Sequence, residues 1–269
     1  MNQNPIIFND AIAQNYDDIL GPFVFEPYAL DILDRIDFTG VRNVLEIASG
    51  TGRVTKHLGA RLPEGAKLVA TDLNPGMLAI AKERISFGDI EYQTADMMDL
   101  PFADASFDVV VCQFGIMFAP DKPGALKEMR RVLRTGGTLI FNTWGPIEEN
   151  PVWNITSTVV NELMGEKNAR IFKDGPFNLD DVNVVLRLLE LAGFEDNIAA
   201  TVIKTGKSST AALAATGFIE GLPIIKIIKD NTPELLPAIL RRLESEFIAQ
   251  LGENPIISKL NALVFKSTK

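Results

Sequence analysis

The chain has 269 residues, 46% hydrophobic and 23% charged, with a formal net charge of -9 and a pI near 4.8. This is enough apolar length for a sizeable α/β core and excludes extensive disorder, while the acidic balance disfavours a protein whose main task is to neutralise nucleic-acid phosphates. A lone cysteine, Cys112, excludes an internal disulfide, and a lone histidine, His57, leaves no zinc constellation. With no signal peptide and no run of about 18 apolar residues, the expectation is a cytoplasmic protein with no metal and no membrane span.

Phe8, Ile12 and Tyr16 recur every four residues and predict one packed helical face, which Gly21-Pro22 breaks. Tyr28, Ile32, Leu33 and Ile36 predict a second helix leading to a first strand at 42–48. That strand carries Glu46 near its end and opens through Ala48-Ser49-Gly50-Thr51-Gly52-Arg53 into a helix. Gly50 and Gly52 lack a Cβ, so the backbone can take unusual φ and a ligand can lie against it, facing the unpaired N–H groups of the helix start. A G-x-G-x-x-G frame fails in both registers, with Ala48 and Arg53 at the ends of one and Thr55 at the end of the other. A phosphate loop gains nothing from a carboxylate; acid and glycines together suit a ligand with a positive amino group and no pyrophosphate.

The second strand, 67–71, ends at Asp72, where doubly wound folds place an acid that accepts hydrogen bonds from ribose hydroxyls. Asn74 then caps a helix begun by Pro75, with Met77, Leu78, Ala81 and Ile85 on its apolar side. Strand three is 90–94, followed by Ala95-Asp96-Met97 and the linker Leu100–Asp108. Strand four, 109–112, is apolar on both faces, as a central parallel strand should be, and ends in Gln113-Phe114-Gly115-Ile116-Met117-Phe118. Ligands of open α/β sheets bind beyond such strand ends. Cys112 reads as a small core residue, with no basic cluster to activate its thiol. A helix over 122–134 turns Ala125, Leu126, Met129, Val132 and Leu133 inward; Lys127, Arg130, Arg131 and Arg134 at its end read as a solvated cationic face. Thr135-Gly136-Gly137 turns into strand five, 138–141, which runs on to Trp144. Beyond it come a helical segment to about 164, an amphipathic helix over 180–192 stopped by Gly193, strand six at 198–204, short helices within 208–252, and a last strand at 258–265.

Glu46-x-Ala48-x-Gly50-x-Gly52 resembles the first motif of class I S-adenosylmethionine-dependent methyltransferases, an acid followed by three alternating glycines. Ala48 stands for the first glycine and Ser49 for the frequent cysteine. The stretch Leu100–Asp108 resembles the linker before strand four in the ubiquinone/menaquinone-biosynthesis type, and Thr135 stands where that family usually has proline. The resemblance covers residues 40–145 closely and 8–36 loosely. It implies an α/β fold: a Rossmann-like, seven-stranded, mostly parallel sheet with helices on both faces and an antiparallel last strand. It implies one domain over 1–269, with cap helices in 1–36, a cofactor-binding core in 40–145, and lid insertions at 146–178 and 208–252. The implied cofactor is S-adenosylmethionine. Glu46 would face its methionine amino group. Ala48, Ser49, Gly50, Thr51 and Gly52 would form the backbone cradle, and Asp72 and Leu73 would meet the ribose, with Met77 nearby. Asp96 and Met97 would address adenine, and Gln113 and Phe114 would flank the reacting end. Tyr16 matches a tyrosine that closes over the cofactor, or is a packed helix-end residue.

Methyl transfer from a sulfonium is an in-line displacement that needs alignment and exclusion of water more than an acid/base pair, and no catalytic dyad is evident. Met117, Phe118, Trp144, Trp153 and Phe218 are candidate acceptor contacts, because aromatic and thioether groups pack on planar or greasy molecules. The expected reaction is methylation of a small quinone-like, lipid-like or natural-product acceptor, with N- or O-methylation of a small amine or acid as the alternative. A nicotinamide-dependent dehydrogenase is disfavoured by Glu46 and the broken glycine frame, and a non-catalytic cofactor-binding protein is the remaining alternative. Cys112-Gln113-Phe114-Gly115 stands where nucleic-acid base modifiers carry Asn/Asp-Pro-Pro-Tyr, so a nucleic-acid partner is not expected.

Overall fold

The computed structural model describes residues 10–86 and 88–269; Phe8 of the first predicted helical face lies outside them. The strands are β1 (Asn43–Ile47), β2 (Lys67–Asp72), β3 (Ile90–Thr94), β4 (Phe107–Gln113), β5 (Leu133–Trp144), β6 (Glu195–Ser208) and β7 (Ile256–Thr268), in one sheet of order β3-β2-β1-β4-β5-β7-β6. The pairs from β3 through β5 are parallel and β7 runs antiparallel to β5. The chain winds outward from β1 to β3 and returns through β4 on the other side, so the strand order reverses between β1 and β4. That reversal is the topological switch of a doubly wound sheet, where crossovers leave a crevice at the strand ends. Val44, Leu45, Val109, Val110 and Val111 pair there and are buried, which is why these segments read as continuous apolar runs. Asp108 fixes the opposite end: its carboxylate accepts from the Arg42 and Asn43 N–H groups and pairs with Arg134 at 2.8 Å.

The helices are α1 (Asp10–Asn15), α2 (Glu26–Asp34), α3 (Arg53–Arg61), α4 (Pro75–Arg84), α5 (Lys122–Val132), α6 (Pro151–Met164), α7 (Glu166–Asp174), α8 (Val182–Leu191), α9 (Ala211–Glu220), α10 (Ile224–Asn231) and α11 (Leu236–Leu251). The cap of α4 is the one the sequence predicts: the Asn74 side chain accepts from Gly76 N at 2.9 Å, with Pro75 at the first helical position.

The chain divides into two compact units. Residues 28–146, 176–202 and 261–269 hold β1 to β5 with the first part of β6 and the last part of β7. The other unit comprises the described residues up to 27 together with 147–175 and 203–260. It is mainly helical, and its core is aromatic: the Trp153 and Phe218 rings meet edge-on at 4.7 Å, with Phe23 and Phe247 about the same Phe218 ring at 5.9 and 6.0 Å.

Four sequence expectations need correction. Gly21-Pro22 does not break the first helical region. Tyr16–Phe25 is a π-helix between α1 and α2, and Glu26 N–H reaches Gly21 O, five residues back. The wider ladder accommodates a proline whose ring and missing N–H would interrupt an α-helix. Strand five begins at Leu133 rather than after the glycines, because Leu133 already pairs with Phe107. The segment 208–252 contains the 16-residue α11 as well as short helices. Finally, the arginines of the last turn of α5 are not simply solvated. Arg131 donates to Leu100 O at 2.9 Å and Phe102 O at 2.7 Å and pairs with Asp104 and Glu128, both at 2.8 Å, while Arg130 donates to Gly193 O at 2.8 Å. Carbonyls of the linker before β4 thus find their donors on α5.

Candidate active site

The site begins where β1 stops. Ala48, Gly50 and Gly52 all have left-handed backbones, with φ of 54°, 55° and 87°, so the chain reverses sharply as it enters α3. A Cβ on Gly52 would lie 2.6 Å from Ile85 Cδ1, so close packing as well as φ demands glycine there. Around Gly50 a Cβ would meet nothing within 4 Å: this is the open side of the turn. Ala48 carries the cost of a left-handed non-glycine, about 1–2 kcal/mol. Its methyl has room because residue 115 is glycine; a Cβ there would come within 2.5 Å of Ala48 Cβ and 2.8 Å of Cys112 Sγ.

The tips of β1, β2 and β3 are tied together. Ser49 N donates to Thr71 O at 2.9 Å, Thr71 Oγ1 to Glu46 O at 2.9 Å, and Ala95 N to Asp72 O at 3.2 Å. The Asp72 carboxylate accepts from Gly50 N and Asn74 N, each at 2.8 Å, which joins the β2 tip to the glycine turn. Burial pushes its pKa up, against the backbone N–H groups of Asn74, Gly50 and Leu73. Glu46 is fully enclosed beneath the turn, and its Oε2 has no hydrogen-bond partner. Burial raises its carboxyl to about 8; the Thr55 side chain and amide pull downward and Asp72 adds repulsion. Asp96 accepts from Met98 N at 2.9 Å in a tight turn that leaves Asp96 and Met97 half-buried beside the β3 tip. Ser49, Thr51 and Met77 are buried, Gln113 is half-buried and Leu73 is exposed.

At the β4 tip Phe114 has φ of 49°, and its N–H donates to Asn142 Oδ1 at 2.8 Å. The ring stacks on Trp144 at 4.1 Å, and Tyr28 meets both edge-on at 5.4 and 5.7 Å. Trp144 and Met117 are therefore core residues of this unit, whereas Phe118 is 44% exposed. Cys112 is buried with its thiol pushed up to about 12, as a core cysteine should be. The expected cofactor residues from Glu46 to Phe114 thus all lie in the sheet unit. Tyr16, Trp153 and Phe218 lie in the helical one, where Tyr16 stacks on Phe25 at 4.8 Å.

Sequence reasoning missed Thr55 and Asn142, and it placed Gly115 in the cluster after strand four without its packing role. Asn142 left a trace as a polar residue at the end of the apolar run Leu139-Ile140-Phe141. The fit to an adenosyl amino acid is nevertheless good: an unpartnered buried carboxylate oxygen, an open glycine face and carboxylates on successive strand tips.

The sequence profile of the family described as "Methyltransferase domain" matches residues 45–141. The ubiquinone/menaquinone biosynthesis C-methyltransferase UbiE of Idiomarina loihiensis is 30% identical over 201 residues, 69% of this chain and 80% of its own. The chain belongs to the class I S-adenosylmethionine-dependent methyltransferases of this type. The protein of the same name from Hahella chejuensis is 36% identical over 138 residues, and there the match spans 49% of the methyltransferase and 55% of the relative. Phosphoethanolamine N-methyltransferase 2 of Haemonchus contortus, solved with phosphomonomethylethanolamine and S-adenosylhomocysteine, shares the fold. Its TM-score is 0.62 at 17% identity, over 97% of this chain and 58% of that one. The methyltransferase is an enzyme that uses S-adenosylmethionine, and its seven-stranded sheet with antiparallel β7 is the expected one. Among the described residues no single helix is long and apolar enough to cross a membrane.

Proposed function

We propose that the methyltransferase methylates a carbon of a small quinone-like acceptor, with the cofactor lying across the tips of β1, β2, β3 and β4. S-adenosylmethionine supplies an electrophilic methyl group on a good leaving group. What the protein must add is alignment and a site cleared of water. Glu46 receives the methionine ammonium, directly or through one water, and Ala48 to Gly52 present the backbone against the amino-acid end. Asp72 accepts from the ribose with lone pairs left after its backbone bonds; Leu73 and Met77 pack beside it. Asp96 accepts from the adenine amine and Met97 N–H addresses the ring, while Gln113 and Phe114 border the reacting end. No acid/base residue is assigned, and Phe118 is the exposed ring best suited to touch an acceptor.

The observation that carries the cofactor reading is Glu46: a buried carboxylate with an unpartnered oxygen under a turn open at Gly50. Ionised, that carboxyl needs a cation beside it, and the ligand has one. The acceptor class is supported by what the Idiomarina and Hahella relatives are named for. The test is a screen of hydroquinone, phenol, amine and carboxylic-acid acceptors, following S-adenosylhomocysteine release and identifying the methylated atom by mass spectrometry and NMR. Carbon methylation of a hydroquinone supports the reading; turnover confined to amines or acids refutes it.

A further inference from the structure

The surroundings of Glu46 set the state of the site before the cofactor arrives. In the sheet, Glu46 pairs with Ala70 on β2 and Val111 on β4, and Ala70 pairs in turn with Tyr92 on β3. Residues in register across parallel strands point to the same face, so Val111, Glu46, Ala70 and Tyr92 form one row, with only a methyl between the carboxyl and the phenol. The Tyr92 hydroxyl is buried there without a hydrogen-bond partner, as is Glu46 Oε2. The groups that act on Glu46 are Thr55 from α3, Asp72 from β2, Tyr92 from β3 and Cys112 from β4. Each is neutral or acidic. Lys82 on α4 stands over the Tyr92 ring, 5.6 Å from its centroid, and does not pair with Glu46. Sealed from water, with an acid as neighbour and no cation pairing with it among the described residues, this carboxyl has every reason to stay neutral.

We propose that Glu46 is a carboxylic acid in the cofactor-free protein and gives up its proton as the ammonium of the cofactor arrives, so that cofactor binding is coupled to proton release. This rests on the reading that Glu46 faces the amino group. The O–H bond of Glu46 breaks, the proton passes to solvent buffer, and the carboxylate left behind pairs with an ammonium that keeps all its protons. The upward displacement of Glu46 to about 8 agrees with this geometry. Occupancy then becomes sensitive to pH through a residue that takes no part in methyl transfer itself.

The experiment is calorimetric titration of the whole protein with S-adenosylhomocysteine at pH 6.5, in buffers of widely different ionisation enthalpy. At that pH the ligand's α-amino group is already protonated and Glu46 still holds its proton. The expected result is release of about 0.9 proton per ligand bound, with affinity rising about tenfold from pH 6 to 7. Methylthioadenosine, which keeps the adenosyl thioether but has no amine, should bind without proton release, and Glu46→Gln should bind S-adenosylhomocysteine more weakly and without it. Binding heats independent of buffer in the natural protein, or equal release from Glu46→Gln or with methylthioadenosine, overturn the proposal while leaving the cofactor assignment intact. Failure of the natural protein to bind S-adenosylhomocysteine overturns both.

Discussion

Ligand-free Glu46→Gln should be more stable than the natural protein at neutral and alkaline pH, and the advantage should shrink as the solution is acidified. The glutamate titrates near 4.5 in an unfolded chain and at about 8 in the folded one. Between these values the folded protein keeps a proton that the unfolded chain has lost. The associated stability is therefore complete below the lower value and is lost as pH rises through the upper one. The full span corresponds to about 5 kcal/mol at 1.36 kcal/mol per unit. Water entry and relaxation around the ionised group reduce this, so the expected difference is about 2–4 kcal/mol at pH 8 and close to zero at pH 5. Asp72 is displaced in the same direction but is present in both proteins, so its contribution largely cancels in the comparison. Urea denaturation of both proteins at pH 5, 6, 7 and 8 reads the difference directly. A gap that does not change with pH would refute the reasoning, since Glu46 would then already be ionised or solvated.

Gly115→Ala should cost about 2–3 kcal/mol through its contacts with Ala48 Cβ and Cys112 Sγ. Ala48→Gly alone should gain up to about 1 kcal/mol and should recover about 1 kcal/mol in the Gly115→Ala background, a coupling that a double-mutant cycle measures. Arg131→Ala should cost about 1–3 kcal/mol and raise amide exchange in residues 100–106, because two linker carbonyls lose a charged donor. Asn142→Leu should cost about 1–3 kcal/mol in thermal denaturation by leaving Phe114 N–H without its acceptor, while Asn142→Asp, which keeps an acceptor, should cost less.

The sheet was legible because its signal is local. Strand β3 has the predicted bounds, and Asn74 caps α4 as its side-chain chemistry requires. The tight turn after β1 could be read from Gly50 and Gly52. What could not be read depended on partners far away in the chain. The π-helix is packed so closely that a Cβ on Gly217 would touch Ile19 Cγ2 at 2.5 Å, a contact that no local pattern announces. The roles of Arg131 and Gly115 follow from where the linker and Ala48 come to rest. Trp153 and Phe218 show the same limit from the other side: a ring in a core and a ring in a pocket have one sequence signature, and these two pack on each other.

The central claim is that the acids at the ends of β1 and β2 hold an adenosyl amino acid, and equilibrium binding of S-adenosylhomocysteine and NAD to the natural protein, Asp72→Ala and Glu46→Ala tests it most directly. The account requires binding of S-adenosylhomocysteine, none of NAD, and a loss of about 1–3 kcal/mol in each folded variant from ligand groups left unpaired. Equal affinity in all three proteins, or preference for NAD, would contradict it.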